Sequence, residues 1–334
     1  MNKLPIGEKN PLSGKWTMKT PYTKTRFVSV QARGVIDLFR PFTLTAPFIV
    51  SMSIMVASLV FNYQYYGKAI PENWWILVGQ SGLTIAIVNA ASNSLNQATD
   101  VEADKISKPY RPIPRGVIKR EGAQSLAYIL YLFALLRATT INAWFGLFIF
   151  LIMIFTVTYS LPPRMKKYLF INQVWIAIPR GLFGILASWS VFGSKNMFEP
   201  TPWIIGGLAT VFLIGGMATK DITDAEADKK TGTHTMINTF GTKITAYVSL
   251  PFMLFPFLFI LIFINTQSLK SYLFPLTAFA ALAFLIFYLM YSEKESKTLE
   301  NIHAWALMYV TYIFFALSFA VLTIFNKVLP FPLN

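Results

Sequence analysis

Residues 96–116 read NQATDVEADKISKPYRPIPRG and come directly after a long apolar run. Asn96, Asp100 and Asp104 stand four residues apart, so their side chains fall within about 80° of arc on an α-helix. Glu102 points to another side of the same helix. The stretch therefore predicts a helix end that presents one amide and two carboxylates in a single direction.

A second acidic stretch lies far downstream, at residues 221–228, which read DITDAEAD. Asp221, Asp224 and Asp228 fall within about 60° of arc on a helix. Together the two stretches hold seven of the fifteen acidic residues. One such cluster is equally typical of a solvated helix end, whereas two clusters with the same face and similar basic neighbours favour a shared site.

The composition is that of a membrane protein. Of the 334 residues, 54% are hydrophobic and 13% are charged, whereas a soluble domain typically carries about 25% charged residues. Because the chain has no cysteine, thiol catalysis, disulfides and thiolate metal sites are excluded. His234 and His303 are interpreted as ordinary polar residues rather than as a pair of metal ligands.

Repeated apolar runs of about twenty residues predict an all-α, polytopic membrane protein. Helices are required because the bilayer interior offers the backbone no other hydrogen-bond partner. The third predicted span is the shortest of the set. The nine predicted transmembrane helices cover residues 42–61, 74–95, 123–137, 143–159, 170–192, 202–219, 245–265, 272–291 and 304–325.

The basic residues are distributed unevenly between the two ends of these spans. The N-terminal tail and the connections after even-numbered spans carry 23 Lys and Arg, and the other connections with the C-terminus carry five. This asymmetry predicts that the N-terminus and both acidic stretches face the cytoplasm and that the C-terminus lies outside. The net charge of +14 is thus mainly a topology signal, and we expect no nucleic-acid partner.

Carboxylate and amide oxygens are hard ligands suited to Mg²⁺, which prefers few protein ligands together with substrate phosphates. Two facing aspartate clusters would hold a diphosphate through such ions. The flanking cations could neutralise the remaining charge of the diphosphate. They are Lys105, Lys108, Arg111 and Arg115 after the first stretch and Lys220, Lys229 and Lys230 around the second.

Three further features bear on the site. Arg180 lies inside an apolar run between Pro179 and Gly181, where a charge is costly, so it is expected to meet an anion or an acidic partner. The segment TYSLPPRMKK, residues 158–167, could reach the pocket or could be only a Pro-stiffened turn. Asn89 and Asn93 share a face with Asn96 and could line the pocket or join helices by hydrogen bonds.

The motif pair has a recognisable family pattern. Asn96-x3-Asp100-x3-Asp104 followed by KPYRPIP, with Asp224-x3-Asp228 later in the chain, resembles the UbiA superfamily of intramembrane prenyltransferases. The resemblance implies a helical bundle around a central cavity with a cytoplasmic cap. Residues 1–34 would then be a polar basic tail and residues 35–334 the intramembrane prenyltransferase domain.

The resemblance also implies roles for particular residues. Mg²⁺ ions would hold the diphosphate of a polyprenyl donor, the prenyl tail would occupy a cavity reached from the lipid bilayer, and the diphosphate would leave by ionisation to an allylic carbocation. The implied metal ligands are Asn96, Asp100, Asp104, Asp221, Asp224 and Asp228. The expected substrate-binding residues are Asn96, Lys108, Arg111, Tyr159, Lys166, Arg180 and Lys220.

The acceptor is less constrained. KPYRPIP is similar to the segment of the archaeal enzymes that attach a second geranylgeranyl chain to geranylgeranylglyceryl phosphate, and to that of chlorophyll synthases. The lipid-soluble acceptor that we favour is the glycerophosphate lipid; an aromatic quinone precursor and a chlorophyllide remain open. A transporter of an anionic solute is the alternative of another class, but it predicts ionisable residues near the midplane of several spans, where only Arg180 qualifies.

Overall fold

A computed structural model of the protein describes residues 7–9, 16–18, 29–67, 69–293 and 302–326. Most of the predicted basic tail and the segment after Asn326 lie outside these residues. Within the described part, a short antiparallel pair of strands, Gly7–Lys9 and Trp16–Met18, precedes the helices. All other regular structure is helical, as the sequence predicts.

The helices follow one another with short connections. In chain order they are α1 Val30–Phe39, α2 Pro41–Tyr66, α3 Trp74–Thr99, α4 Val101–Ser107, α5 Arg120–Thr139, α6 Ala143–Ser160, α7 Ile171–Ile178, α8 Gly184–Gly193, α9 Pro200–Gly216, α10 Ala225–Lys230, α11 Met236–Asn265, α12 Phe279–Tyr291 and α13 His303–Phe325. Single 3₁₀ segments cover Met165–Lys167, Ser194–Asn196, Met217–Asp221 and Ser271–Ala278.

Within the described residues, eight helical segments are long and apolar enough to cross a membrane. The segment predicted as the third span is also helical, as α5, and packs along α3. It is less apolar than the eight, because Arg137 and several polar side chains occur along it. The polytopic all-α architecture is therefore confirmed, and the count of nine spans stays a prediction.

The long helices form a bundle with one continuous core. Helix α3 packs against α2 and α5, α2 packs against α8 and α13, and α11 packs against α9 and α12. Trp189, Phe257 and Phe319 are among the large side chains that are completely buried in this core. The exposed aromatic and aliphatic side chains on the outer helix faces are the surface expected of a protein in contact with lipid.

Short elements gather at one end of the bundle. Helix α4 follows α3 after Asp100, and α10 follows the 3₁₀ segment at the end of α9. Helices α4 and α10 contact each other although more than a hundred residues separate them. The long helices are interrupted before these short helices begin, and the change of direction brings the two acidic stretches side by side.

Candidate active site

The bundle encloses a cavity of about 230 Å³ that opens among these short elements. Apolar side chains such as Val50, Ile149 and Leu213 line part of it, and charged side chains line the rest. All twelve residues predicted for the site line this one cavity. They are Asn96, Asp100, Asp104, Lys108, Arg111, Tyr159, Lys166, Arg180, Lys220, Asp221, Asp224 and Asp228.

The first acidic stretch is held by cations that follow it or face it. Asp104 is buried, and Nη1 of Arg111 lies 2.7 Å from its Oδ1 and 2.8 Å from its Oδ2. Oδ1 of Asp100 accepts hydrogen bonds from Lys166 and, at 3.1 Å, from Nη2 of Arg164. Asn96 donates from Nδ2 to Oδ2 of Asp100 at 2.9 Å. The two carboxylates are therefore fixed by four donors.

The two acidic stretches are joined directly. Lys108, in the segment after the first stretch, donates a hydrogen bond to Oδ1 of Asp224 in the second. The Lys108 side chain is buried and that of Asp224 is partly exposed, so water screens this ion pair only in part. Burial alone would raise the pKa of Asp224, but Lys108, with Arg111 and Lys220 nearby, lowers it below its ordinary value. Asp224 is thus held as a carboxylate.

A third side of the site comes from the ends of α6 and the start of α7. The Tyr159 hydroxyl donates to Oδ1 of Asn172 at 2.9 Å, and Nδ2 of Asn172 donates to Oδ2 of Asp221 at 3.1 Å. Nζ of Lys220 donates to Oδ1 of Asp221 at 2.5 Å and lies 3.4 Å from Oδ1 of Asn172. Asn172 therefore connects the predicted residue Tyr159 to the second acidic stretch.

Asp228 differs from the other four aspartates. It makes no ion pair with any residue that the structure describes. Burial and the neighbouring carboxylates of Asp221 and Asp224 raise the pKa of Asp228 to about 8. Negative charge is thus crowded at this point of the site, and an added cation would be bound favourably there.

Arg180 lies deeper in the cavity, on a π-helical turn, Pro179–Phe183, that separates α7 from α8. Gly181 permits this turn to approach α9, because a Cβ atom there would lie 2.3 Å from Oγ1 of Thr210. The Tyr312 hydroxyl donates to the carbonyl oxygen of Arg180 at 2.7 Å. Among the described residues, the Arg180 guanidinium has no acidic partner.

Asn89 and Asn93 of α3 contact the connection between α1 and α2. Nδ2 of Asn93 donates to the carbonyl oxygen of Phe39 and to Oγ1 of Thr43, both at 2.8 Å, and Nδ2 of Asn89 donates to the carbonyl oxygen of Thr43 at 3.1 Å. These contacts support the prediction that Asn89 and Asn93 join helices by hydrogen bonds. Both residues line the cavity as well, so the two predicted roles are compatible.

Several residues of the site escape the motif-based prediction. Asn172 stands at the start of an apolar run, where its polarity was the only available signal. The cavity wall also contains five aromatic residues, which composition alone cannot distinguish from the other aromatic residues of the chain. They are Phe155, Trp175, Trp305, Tyr309 and Tyr312. The rings of Phe155 and Trp175 stack with their centroids 4.4 Å apart.

The donor set has the chemistry of a Mg²⁺ site: five carboxylates and one amide oxygen that line one cavity. Across the described ranges, no three acidic or histidine side chains converge closely enough to enclose a metal ion as they stand. The reason is that four of the carboxylates are turned towards lysine or arginine partners. The residues therefore fit the ion in ligand type, and the carboxylate of Asp228, crowded by Asp221 and Asp224, is one that a cation would stabilise.

Comparisons with known proteins identify the family of the chain. The sequence profile of the UbiA prenyltransferase family matches residues 54–310. The chain is 29% identical over 211 residues to digeranylgeranylglyceryl phosphate synthase of Methanosphaera stadtmanae, covering 62% of this chain and 69% of the relative. It is 27% identical over 297 residues to the probable homogentisate phytyltransferase 2 of Oryza sativa subsp. japonica, covering 83% of this chain and 76% of the relative.

The fold is also similar to a solved structure of a UbiA homolog from Archaeoglobus fulgidus bound to GPP and Mg²⁺. The TM-score is 0.64 at 18% sequence identity, covering 89% of this chain and all of the other. The chain belongs to the UbiA prenyltransferase family. It is accordingly an integral, multi-pass membrane enzyme of that family, as the motif pair predicts.

Proposed function

We propose that the protein transfers a polyprenyl group, with geranylgeranyl favoured, from its diphosphate to a lipid-soluble acceptor in a Mg²⁺-dependent reaction. The observation that carries this proposal is the meeting of two distant aspartate stretches at the mouth of one partly apolar cavity. A substrate with a charged head and an apolar tail needs both the charged part and the apolar part of this cavity wall. The solved Archaeoglobus relative bound to GPP and Mg²⁺ supports the same ligand class.

The residues of the charged half have complementary tasks. Asn96, Asp100, Asp104, Asp221, Asp224 and Asp228 would hold Mg²⁺, which would bind and neutralise the diphosphate oxygens. Lys108, Arg111, Lys166 and Lys220 supply positive charge beside these groups, so diphosphate is stabilised as it departs. Tyr159, linked through Asn172 to Asp221, closes the site on its third side.

The apolar half protects the reactive carbon. Once diphosphate leaves, the allylic carbocation must be kept from water until the acceptor attacks. Phe155 and Trp175 stack at the cavity wall in the same region as Tyr159, and their π faces can stabilise a cation. The prenyl tail extends from there along the side chains of Ile149, Ile152 and Leu213.

The charge balance supports an acidic acceptor. Five aspartates line the site, and five cations pair with four of them, namely Lys108, Arg111, Arg164, Lys166 and Lys220. Arg180 takes no part in these pairs, and it lies eight residues beyond Asn172, about 12 Å along the helix. A half-buried guanidinium inside a membrane-spanning segment, without an acidic partner among the described residues, is best explained by an anion that arrives with a second substrate.

The favoured acceptor is geranylgeranylglyceryl phosphate, in membrane lipid synthesis. Its phosphate suits Arg180, and several relatives are digeranylgeranylglyceryl phosphate synthases. The second candidate is an aromatic acid of the quinone-precursor type, which the similarity to the plant homogentisate phytyltransferase favours. Chlorophyllide-type acceptors would present a carboxylate to the same guanidinium. On the basic-residue asymmetry, the catalytic end of the bundle faces the cytoplasm.

A direct assay separates these candidates. Purified protein is incubated with radiolabelled geranylgeranyl diphosphate and, in turn, geranylgeranylglyceryl phosphate, homogentisate and chlorophyllide, with Mg²⁺ or with EDTA. We expect Mg²⁺-dependent product with the glycerophosphate lipid and little with the other two. Product with an aromatic acid alone would replace the acceptor assignment, and no Mg²⁺-dependent product with any acceptor would refute the proposed reaction.

A further inference from the structure

Beside the main cavity lies a second space of about 240 Å³, here called the side opening. It is bounded by the start of α4, the 164–167 loop and the chain that follows α10. The side opening and the main cavity share Asp100, Lys166, Asp228 and Thr233 in their walls. The two spaces therefore meet across the charged half of the candidate active site.

The lining of the side opening is polar. Three cations line it, namely Arg164, Lys166 and Lys167, together with three carboxylates and three threonine hydroxyl groups. Ala103 is the one apolar residue in its wall, counted over the residues that the structure describes. The main cavity, in contrast, is lined by many aliphatic and aromatic side chains. A hydrated anion can pass along the polar wall of the side opening, and the apolar wall of the main cavity accommodates a prenyl chain.

The cations of the side opening become more exposed from inside to outside. Lys166, which contacts Asp100, has a side chain that is 8% exposed, and that of Arg164 is 32% exposed. Glu102 stands at the outer rim with a side chain that is 77% exposed. The side opening thus leads from the buried pair of Lys166 and Asp100 to water, between walls that carry both cations and carboxylates.

One contact holds the outer frame together. The backbone N–H of His234 donates to the carbonyl oxygen of Lys167 at 3.1 Å, which ties the chain after α10 to the 164–167 loop. Arg164, on that loop, has a positive φ of 57°, an uncommon conformation for a residue other than glycine. Arg164 thus reaches Asp100 from this loop, and Lys167, three residues later, is bonded to the chain after α10.

We propose that the side opening is the passage through which inorganic diphosphate leaves the site after each transfer. The inference rests on the proposed function, because only a diphosphate donor produces this leaving group. Departure through the apolar cavity would strip water from a multiply charged anion, and the prenylated product still occupies that route. The polar side opening lets the two products leave by different paths.

The test narrows the side opening without touching a group that binds substrate. Glu102→Trp places a large side chain at the exposed rim, and it removes only the exposed ion pair with Lys105, which contributes little stability. Glu226→Trp is the matched control, since Glu226 is an exposed acid on α10 that pairs with Lys230 and lines neither space. Glu102→Gln controls for the lost charge.

The measurement is the exchange of ³²P-labelled inorganic diphosphate on the detergent-solubilised protein in the presence of Mg²⁺. For Glu102→Trp we expect association and dissociation rates that fall together by about tenfold, with an unchanged dissociation constant. Glu226→Trp and Glu102→Gln should exchange within about twofold of the wild type. This equal slowing in both directions is the property of a passage.

Two results would overturn the proposal. Exchange by Glu102→Trp at the wild-type rate would show that diphosphate leaves elsewhere, with the donor site intact. A changed dissociation constant with an unchanged association rate would make the side opening a binding site rather than a passage. If the wild-type protein binds no diphosphate with Mg²⁺, the proposed function itself fails, so the two failures are distinguishable.

Discussion

Lys108 donates a hydrogen bond to Asp224, and this contact joins the end of α4 to the start of α10. The two residues are 116 positions apart in the chain. Through this ion pair, two helix ends that the sequence places far apart become the two walls of one site. A basic residue that follows the first acidic stretch therefore neutralises a carboxylate of the second acidic stretch.

Replacement of Lys108 by methionine should destabilise the protein most when Mg²⁺ is absent. The substitution leaves the Asp224 carboxylate without its charged partner, at a cost of about 1–3 kcal/mol. Mg²⁺ should recover part of this loss, because a metal ion can replace the ammonium group. The check is the thermal unfolding temperature of Lys108→Met in EDTA and in Mg²⁺. Equal destabilisation in both conditions would argue against a cation site at Asp224.

The buried pair of Arg111 and Asp104 should matter more to stability than the exposed pair of Lys105 and Glu102. Arg111→Ala leaves a buried carboxylate without compensation, and we expect a loss of roughly 3–5 kcal/mol. Lys105→Ala removes an exposed contact and should change stability by less than about 1 kcal/mol. Thermal unfolding in detergent compares the two variants, and similar losses would contradict this interpretation.

Asn172 is predicted to position Asp221 for metal binding. Asn172→Leu removes the donor to Oδ2 of Asp221 and the acceptor of the Tyr159 hydroxyl. We expect the Mg²⁺ concentration for half-maximal activity to rise several-fold, with the acceptor KM unchanged. Gln173→Leu is the neighbouring control, because the Gln173 side-chain nitrogen is buried without a hydrogen-bond partner among the described residues. A purely structural role would lower activity at all Mg²⁺ concentrations alike.

Arg180 is predicted to bind the acceptor and not the prenyl diphosphate donor. A hydrogen-bonded ion pair with an acidic acceptor is worth about 1.5–3 kcal/mol, so Arg180→Gln should raise the acceptor KM by roughly 10–100-fold. Arg180→Lys should fall between, since it keeps the charge and loses the planar fork. Steady-state kinetics with each substrate varied in turn make the comparison. An equal rise in the donor KM would place Arg180 at the diphosphate instead.

The sequence predicts much of this site because charged residues are scarce in a membrane protein. All twelve predicted residues line the cavity, because a polar or charged side chain within or beside an apolar span is costly in contact with lipid. Their partners could not be predicted. That Asp104 pairs with Arg111, and Asp100 with Lys166, depends on how the chain turns after α4 and within the 164–167 loop.

The fold shows the same division. Apolar runs predict the long helices, because length and hydropathy are properties of one segment at a time. The status of α5 depends instead on its neighbours: it packs along α3, its buried face is mainly alanine, and its charged residues lie near its two ends. The π-helical turn at Arg180 likewise depends on the close approach of Gly181 to Thr210, which no local pattern predicts.

The central claim is that the two aspartate stretches form one Mg²⁺-dependent diphosphate site. The most direct measurement is the binding of radiolabelled geranylgeranyl diphosphate, with Mg²⁺ and with EDTA, to the wild type and to Asp100→Asn and Asp224→Asn, with Glu226→Gln as control. We predict Mg²⁺-dependent binding that either aspartate substitution weakens at least tenfold and the control leaves unchanged. Binding that is independent of Mg²⁺ and equal in all four proteins would contradict the claim.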